Sequence, residues 1–118
     1  MGDNPKLYVG HILTEIEVLE SIIRKASFQD FQTDPILYRA AVYAIQCISE
    51  ASKSLPGAWL TEFPHIRWRD IRGIGNHTRH EYSHLKHFMI WDVMVDHLPA
   101  LKDVMLKLDK KNDQAVRP

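Results

Sequence analysis

Four of the chain's seven arginines, Arg67, Arg69, Arg72 and Arg79, stand within 13 residues, and His77, His80, His84 and His87 overlap or follow them. Only Asp70 and Glu81 dilute this patch. Arginine presents a planar fork of donors that matches phosphate oxygens. Histidine carries a proton near neutral pH, and an amide such as Asn76 can orient a phosphate or a ribose. Together these groups suit chemistry on a phosphodiester. Metal-free cleavage of RNA needs a base for the 2′-OH proton, an acid for the leaving 5′-oxygen, and positive charge beside the developing phosphorane.

The spacing predicts a helix from about Arg67 to His84. On a helical wheel Ile71, Ile74, Thr78 and Leu85 form a core face, with Gly75 and Tyr82 at its border. Arg69, Arg72, Asn76, Arg79 and His80 fall on the opposite side within an arc of roughly 100°. That arc holds no carboxylate, whereas a solvated face normally mixes signs. A basic surface helix held by salt bridges would show the same spacing. His80 and His84, four residues apart, could also chelate zinc. No cysteine or carboxylate completes an obvious shell, so the sequence predicts no metal and no cofactor.

The elements that must position this helix read as all-α. With 118 residues, 45% of them apolar, the chain fits one domain over residues 1–110, followed by a polar tail at 111–118. Val9, Ile12, Ile16, Leu19, Ile23 and Ala26 recur every three or four residues and predict a first helix from Pro5 to Phe28. Phe28, Phe31 and Thr33 read as a connection. Asp34 and Pro35 are an N-cap and first-turn proline for a second helix, whose stripe is Leu37, Ala41, Ala44, Ile48, Ala51 and Leu55. Pro56, Gly57 and Pro64 predict a loop, pinned to the core by Trp59 and Phe63. A further helix begins near His87 with Phe88, Trp91 and Val95 inward. Pro99 kinks or restarts it, and Leu101, Val104, Met105 and Leu108 carry the last stretch. The result is an antiparallel four- to five-helix bundle.

Formal net charge is zero, so any hold on nucleic acid must come from the local basic patch. The single cysteine, Cys47, is expected as a small core residue and suits a reducing compartment. No signal peptide and no run long enough to span a bilayer is expected, which points to the cytoplasm. Trp68 and Trp91 read as core or dimer-interface anchors, and His11 and His97 as surface or capping residues.

The stretch from Phe63 to Tyr82, with Ile71-Arg72-Gly73-Ile74-Gly75-Asn76-His77-Thr78-Arg79-His80-Glu81-Tyr82 at its centre, resembles the signature region of HepT-like proteins of the HEPN superfamily. Ala40–Tyr43 and Ile48–Lys53 resemble that family's second helix, and Ile90–Val93 and Asp96–Leu101 its fourth. The resemblance implies a helical bundle that dimerises, or forms a higher even-numbered oligomer, and cleaves RNA without a metal. Its motif is an arginine, four to six residues, then a histidine, often with a tyrosine two residues later. It further implies a nucleotidyltransferase (MntA-like) antitoxin that adds AMP to that tyrosine.

Carried over residue by residue, His80 is the acid/base, Asn76 the polar residue after the motif arginine, and Tyr82 the modified residue. Gly75 occupies the usual arginine position, and Arg72 or Arg79 stands in for it. Arg69 and His77 are secondary candidates, since Arg72 and His77 show the motif spacing in a shifted register. The displaced arginine leaves a second reading open: a non-catalytic nucleotide- or RNA-binding dimer, or a substrate partner of a nucleotidyltransferase.

Overall fold

The computed structural model describes the backbone of residues 4–78 and 84–116, and side chains within 4–74 and 87–110. Helix α1 spans Pro5–Lys25. Its start follows from Asn4, whose side chain accepts the Lys6 N–H at 3.0 Å, and from Pro5 in the first turn. Val9, Ile12, Ile16, Leu19 and Ile22 are its buried stripe, and Arg24 and Lys25 meet the negative end of its dipole. The helix stops earlier than its periodicity predicts because Ser27 opens another one. Ser27 Oγ accepts the Asp30 N–H at 3.1 Å while Asp30 Oδ2 accepts the Ser27 N–H at 3.0 Å. This reciprocal cap turns the expected connection into helix α2, Phe28–Thr33, which carries the fully buried Phe31.

Asp34 then caps α3, Pro35–Ser52, by accepting the Ile36 N–H at 2.9 Å. Ala41, Ala44, Ile45 and Ile48 are buried, and the alanines leave room for α1, the principal neighbour of α3. Cys47, four residues from Tyr43 on α3, is half-buried rather than core. Tyr43 is exposed, and hydrogen bonding to Cys47 holds its phenol above the usual range. The predicted loop contains a short helix, α4, Gly57–Glu62, entered through Pro56. Trp59 and Phe63 pack against the core as expected.

Helix α5 spans Trp68–Thr78 and α6 spans His84–Asp92; five residues of π-helix, Val93–His97, join α6 to α7, Leu98–Val116. Pro99 does not break the chain's helical path. It lacks an N–H to offer Val95, and its ring crowds that carbonyl. The ladder widens just before it, so that the Leu98 N–H reaches Val93 O, five residues back. The widened turn also sets which face is buried. Ile90, Met94, Leu98 and Leu101 point inward, while Phe88 and Val95, expected there, are exposed. Trp91 is half-buried against Phe31, with ring centroids 5.3 Å apart. Helix α7 lies against α1, where Lys102 Nζ pairs with Glu20 Oε2 at 2.9 Å.

The described residues therefore form an all-α bundle, as the periodicities predict. Two of its helices, α2 and α4, are too short to carry a readable stripe. Phe31 joins α2, α3 and α6 through Tyr38, His87 and Trp91. Phe31→Ala is expected to lower the unfolding free energy by about 3–5 kcal/mol, and Ser27→Ala by about 1 kcal/mol, both read from urea denaturation.

Candidate functional site

Helix α5 carries the first part of the basic segment, and three contacts hold it. Trp68 Nε1 donates to Leu60 O and Phe63 O, each at 3.1 Å, which ties the start of α5 to the end of α4. Ile71 and Ile74 pack half-buried against the core. The third contact is polar and lies at the last turn of α3. There Ser49 Oγ donates to Arg72 O at 2.9 Å, and Arg72 Nη2 donates to Ser52 O at 3.3 Å.

This contact answers a specific need of α3. A helix leaves its last carbonyls without intrahelical partners and with partial negative charge. Ser52 Oγ serves Ser49 O at 2.7 Å, the turn at Lys53–Leu55 serves Glu50, Ala51 and Ser52, and Arg72 adds a cationic donor to Ser52 O. Ser49 and Ser52 are themselves buried. Nε of Arg72 is also buried and has no hydrogen-bond partner among the described residues.

The structure thus places Arg72 differently from the ideal wheel. Its side chain is half-buried and turned to α3 instead of standing on an open polar face. Arg69 is exposed and makes no ion pair among the described residues, and Arg67 pairs with Asp70 at 2.7 Å on the surface. Exposed pairs of that kind contribute at most about 1 kcal/mol. Asn76 and His77 lie on the α5 backbone, with side chains outside the described residues; Arg79, His80 and Tyr82 lie outside them altogether. Ser49 and Ser52 escaped the sequence reading of the site, because a serine inside an alanine-rich stripe looks like another small packing residue.

Between α3, α5 and the start of α7 lies a cavity of about 680 Å³. Its walls include Ile45, Ile48, Ile71, Ile74, Val93 and Leu101, and Gly73 of α5 also faces it. Charged groups come from two sides: Arg67, Arg69 and Asp70 from α5 and its approach, and Asp92 from the end of α6 with Asp96 and His97 from the π-helical segment. His97 Nε2 stands 3.7 Å from Asp92 Oδ2. A hydrogen bond to Asp92, together with its negative charge, raises the carboxyl of Asp96 above the usual range. In the sequence this group shows only as two carboxylates four residues apart with an adjacent histidine.

A chain with this helical fold and this arginine-rich helix matches the HepT-like family model over residues 12–108, and the protein belongs to that ribonuclease family. Among its relatives, a candidate RNase of Caldanaerobacter subterraneus subsp. tengcongensis is 33% identical over 91% of this chain and 96% of its own length. A protein named as a probable ribonuclease HepT, from Thermococcus cleftensis, is 30% identical over 93% of this chain and its own full length. A third, from Methanocaldococcus jannaschii, named as a gamma-glutamylcyclotransferase and candidate RNase, is 29% identical over 97% of this chain and 51% of its own length. No solved structure matches the chain. Among the described residues no helix is long and apolar enough to cross a membrane.

The two arginines that the structure describes on α5 should respond differently to truncation. Arg72→Ala removes a charged donor from a part-buried carbonyl and is expected to destabilise the fold by about 1–3 kcal/mol. Arg69→Ala should stay within about 0.5 kcal/mol of the parent. Paired urea titrations of the two variants make the comparison.

Proposed function

We propose that this protein is a metal-independent endoribonuclease, the toxin of a toxin–antitoxin pair, and that a nucleotidyltransferase neutralises it by adding AMP to Tyr82. The observation that carries the reading is a basic helix latched through Arg72 to the end of α3, in a chain of the HepT-like ribonuclease family. A latched helix can present the residues beyond it in a set direction, which proton transfer and phosphate binding require.

In the proposed reaction His80 takes the proton from a ribose 2′-OH. The 2′-oxygen attacks phosphorus, charge gathers on the phosphorane oxygens, and the 5′-oxygen leaves with a proton. The products are a 2′,3′-cyclic phosphate and a 5′-hydroxyl end. One chain supplies a single histidine at the centre of the polar arc. A homodimer would bring two His80 side chains to one cleft, one as base and one as acid. Asn76 would orient the phosphate. Arg72 already donates to Ser52 O, which favours Arg79 as the cation that replaces the arginine missing at Gly75. AMP on Tyr82 would add an anion to the same neighbourhood and repel the RNA backbone. The reaction needs only solutes of the cytoplasm, the expected compartment.

Incubation of the pure protein with labelled RNA and DNA in excess EDTA should show cleavage of RNA alone, with a cyclic phosphate end. His80→Ala should remove cleavage while thermal melting is retained. Arg79→Ala should lower the rate by about 10²-fold or more. Loss of cleavage on chelation would overturn the metal-independent mechanism, and RNA binding with no cleavage by the parent would support the non-catalytic module instead. Co-expression with a nucleotidyltransferase antitoxin should add one AMP mass, absent in Tyr82→Phe.

A further inference from the structure

The 680 Å³ cavity beside α5 has no part in the cleavage step proposed above. Its size falls in the range of about 300–1,000 Å³ that small-molecule sites occupy, and its make-up is that of such a site: apolar walls with a few polar groups. Aliphatic side chains from α3, α5 and α7, among them Ile48, Ile74 and Leu101, supply apolar surface for a flat ring. The charged lining is unequal on its two sides: Arg67 and Asp70 pair with each other on the α5 side, and His97 stands beside the two carboxylates on the other. Arg69, without an ion pair among the described residues, comes from α5, Asp92 from the end of α6 and Asp96 from the π-helical segment.

A ligand that answers all three features has a planar apolar body, an anion at one end and hydrogen-bond donors at the other. A nucleotide is such a molecule. Ionised carboxylates only accept hydrogen bonds, so the Asp92–Asp96 pair selects for donors. Guanine presents two adjacent donors, N1–H and the 2-amino group, which one carboxylate can accept side by side. Adenine and cytosine offer one amino group beside a ring acceptor. Uracil offers one N–H flanked by two carbonyl oxygens that the carboxylates would repel. A hydrogen bond to Asp92, and then that carboxylate's negative charge, raise the proton affinity of Asp96, and the donors of a base edge would take the place of the proton held between the two carboxyls. The π-helical widening at Val93–His97 carries Asp96 and His97 to the cavity, and such insertions are frequent at functional sites.

We propose that this cavity seats one unstacked guanine of a single-stranded RNA, with Asp92 and Asp96 reading its Watson–Crick edge and Arg69 meeting its phosphate. This selectivity rests on the ribonuclease reading above, and it turns a general RNA cleaver into one that cuts beside guanines. Sequence-specific proteins commonly read single-stranded RNA in this way, from bases splayed out of the stack.

Two measurements test the proposal separately from cleavage. In the first, 5′-GMP, 5′-AMP, 5′-CMP and 5′-UMP are titrated into the full-length protein, followed by methyl NMR of Ile45, Val93 and Leu101. GMP should bind at least about tenfold more tightly than UMP, a difference near 1.4 kcal/mol. Asp92→Asn and Asp96→Asn, both surface changes, should erase that preference, and Val93→Phe, which fills the cavity, should weaken all four nucleotides. Equal binding of the four, or none at all, overturns the proposal. So does a Val93→Phe variant that loses self-association without ever binding GMP, since a second copy of the chain would then be the occupant. In the second measurement, cut sites are mapped on an RNA containing all four bases. Cleavage by the parent should cluster at guanines, and that clustering should be lost in Asp92→Asn. Even cutting by the parent overturns the guanine site and leaves the ribonuclease reading intact, whereas GMP binding with no cleavage of any RNA does the reverse.

Discussion

Helix α3 has to serve two neighbours at once, and the rest of the structure depends on how it does so. Along its length Ala41 and Ala44 let α1 approach. At its last turn it must satisfy carbonyls that no longer have helical partners. Arg72 contributes there with a charged donor, and Ser49 returns a hydrogen bond to the Arg72 carbonyl. These two bonds run in opposite directions between the same helices, so both the rotation and the axial position of α5 are set relative to α3. A purely apolar contact through Ile71 and Ile74 would tolerate sliding, because dispersion and hydrophobic burial carry little direction. Hydrogen bonds do not tolerate it.

The placement of α5 has consequences for the chemistry assigned to the residues after it. Residues that act on a phosphodiester must be held within a fraction of an ångström of a working geometry. Trp68 fixes one end of α5 through Leu60 and Phe63, and Arg72 fixes its middle. The same arginine cannot be fully committed both to the end of α3 and to a substrate phosphate. Its partly buried position commits it to holding the helix.

On the other side of the cavity the governing constraint is Pro99. A proline inside a helix normally costs about 3 kcal/mol or more through its lost donor and ring clash. Here the chain avoids a break by widening one turn, and the cost is offset by burial of Ile90, Met94, Leu98 and Leu101 on one continuous face. Asp96, four residues after Asp92, lies beside it, and both, with His97, line the cavity opposite α5. Pro99 thus shapes the core face of two helices.

By itself the sequence determined the helical class, the starts of α1 and α3, and most of the core. Asn4-Pro5 and Asp34-Pro35 act through bonds to residues one or two positions away, and stripes such as Val9–Ile12–Ile16–Leu19 follow from the period of the helix. It also showed the family resemblance and the basic segment, since both are carried by residue types in order. Only the tertiary structure decided which way Arg72 turns, because a helical wheel assigns a face without knowing that a neighbouring helix ends there and presents the Ser52 carbonyl. The buried roles of Ser49 and Ser52, and the inward turn of Met94 in place of Val95, were decided in the same way. Each depends on an element distant in sequence or on a one-residue change of helical register, and neither leaves a mark on local periodicity.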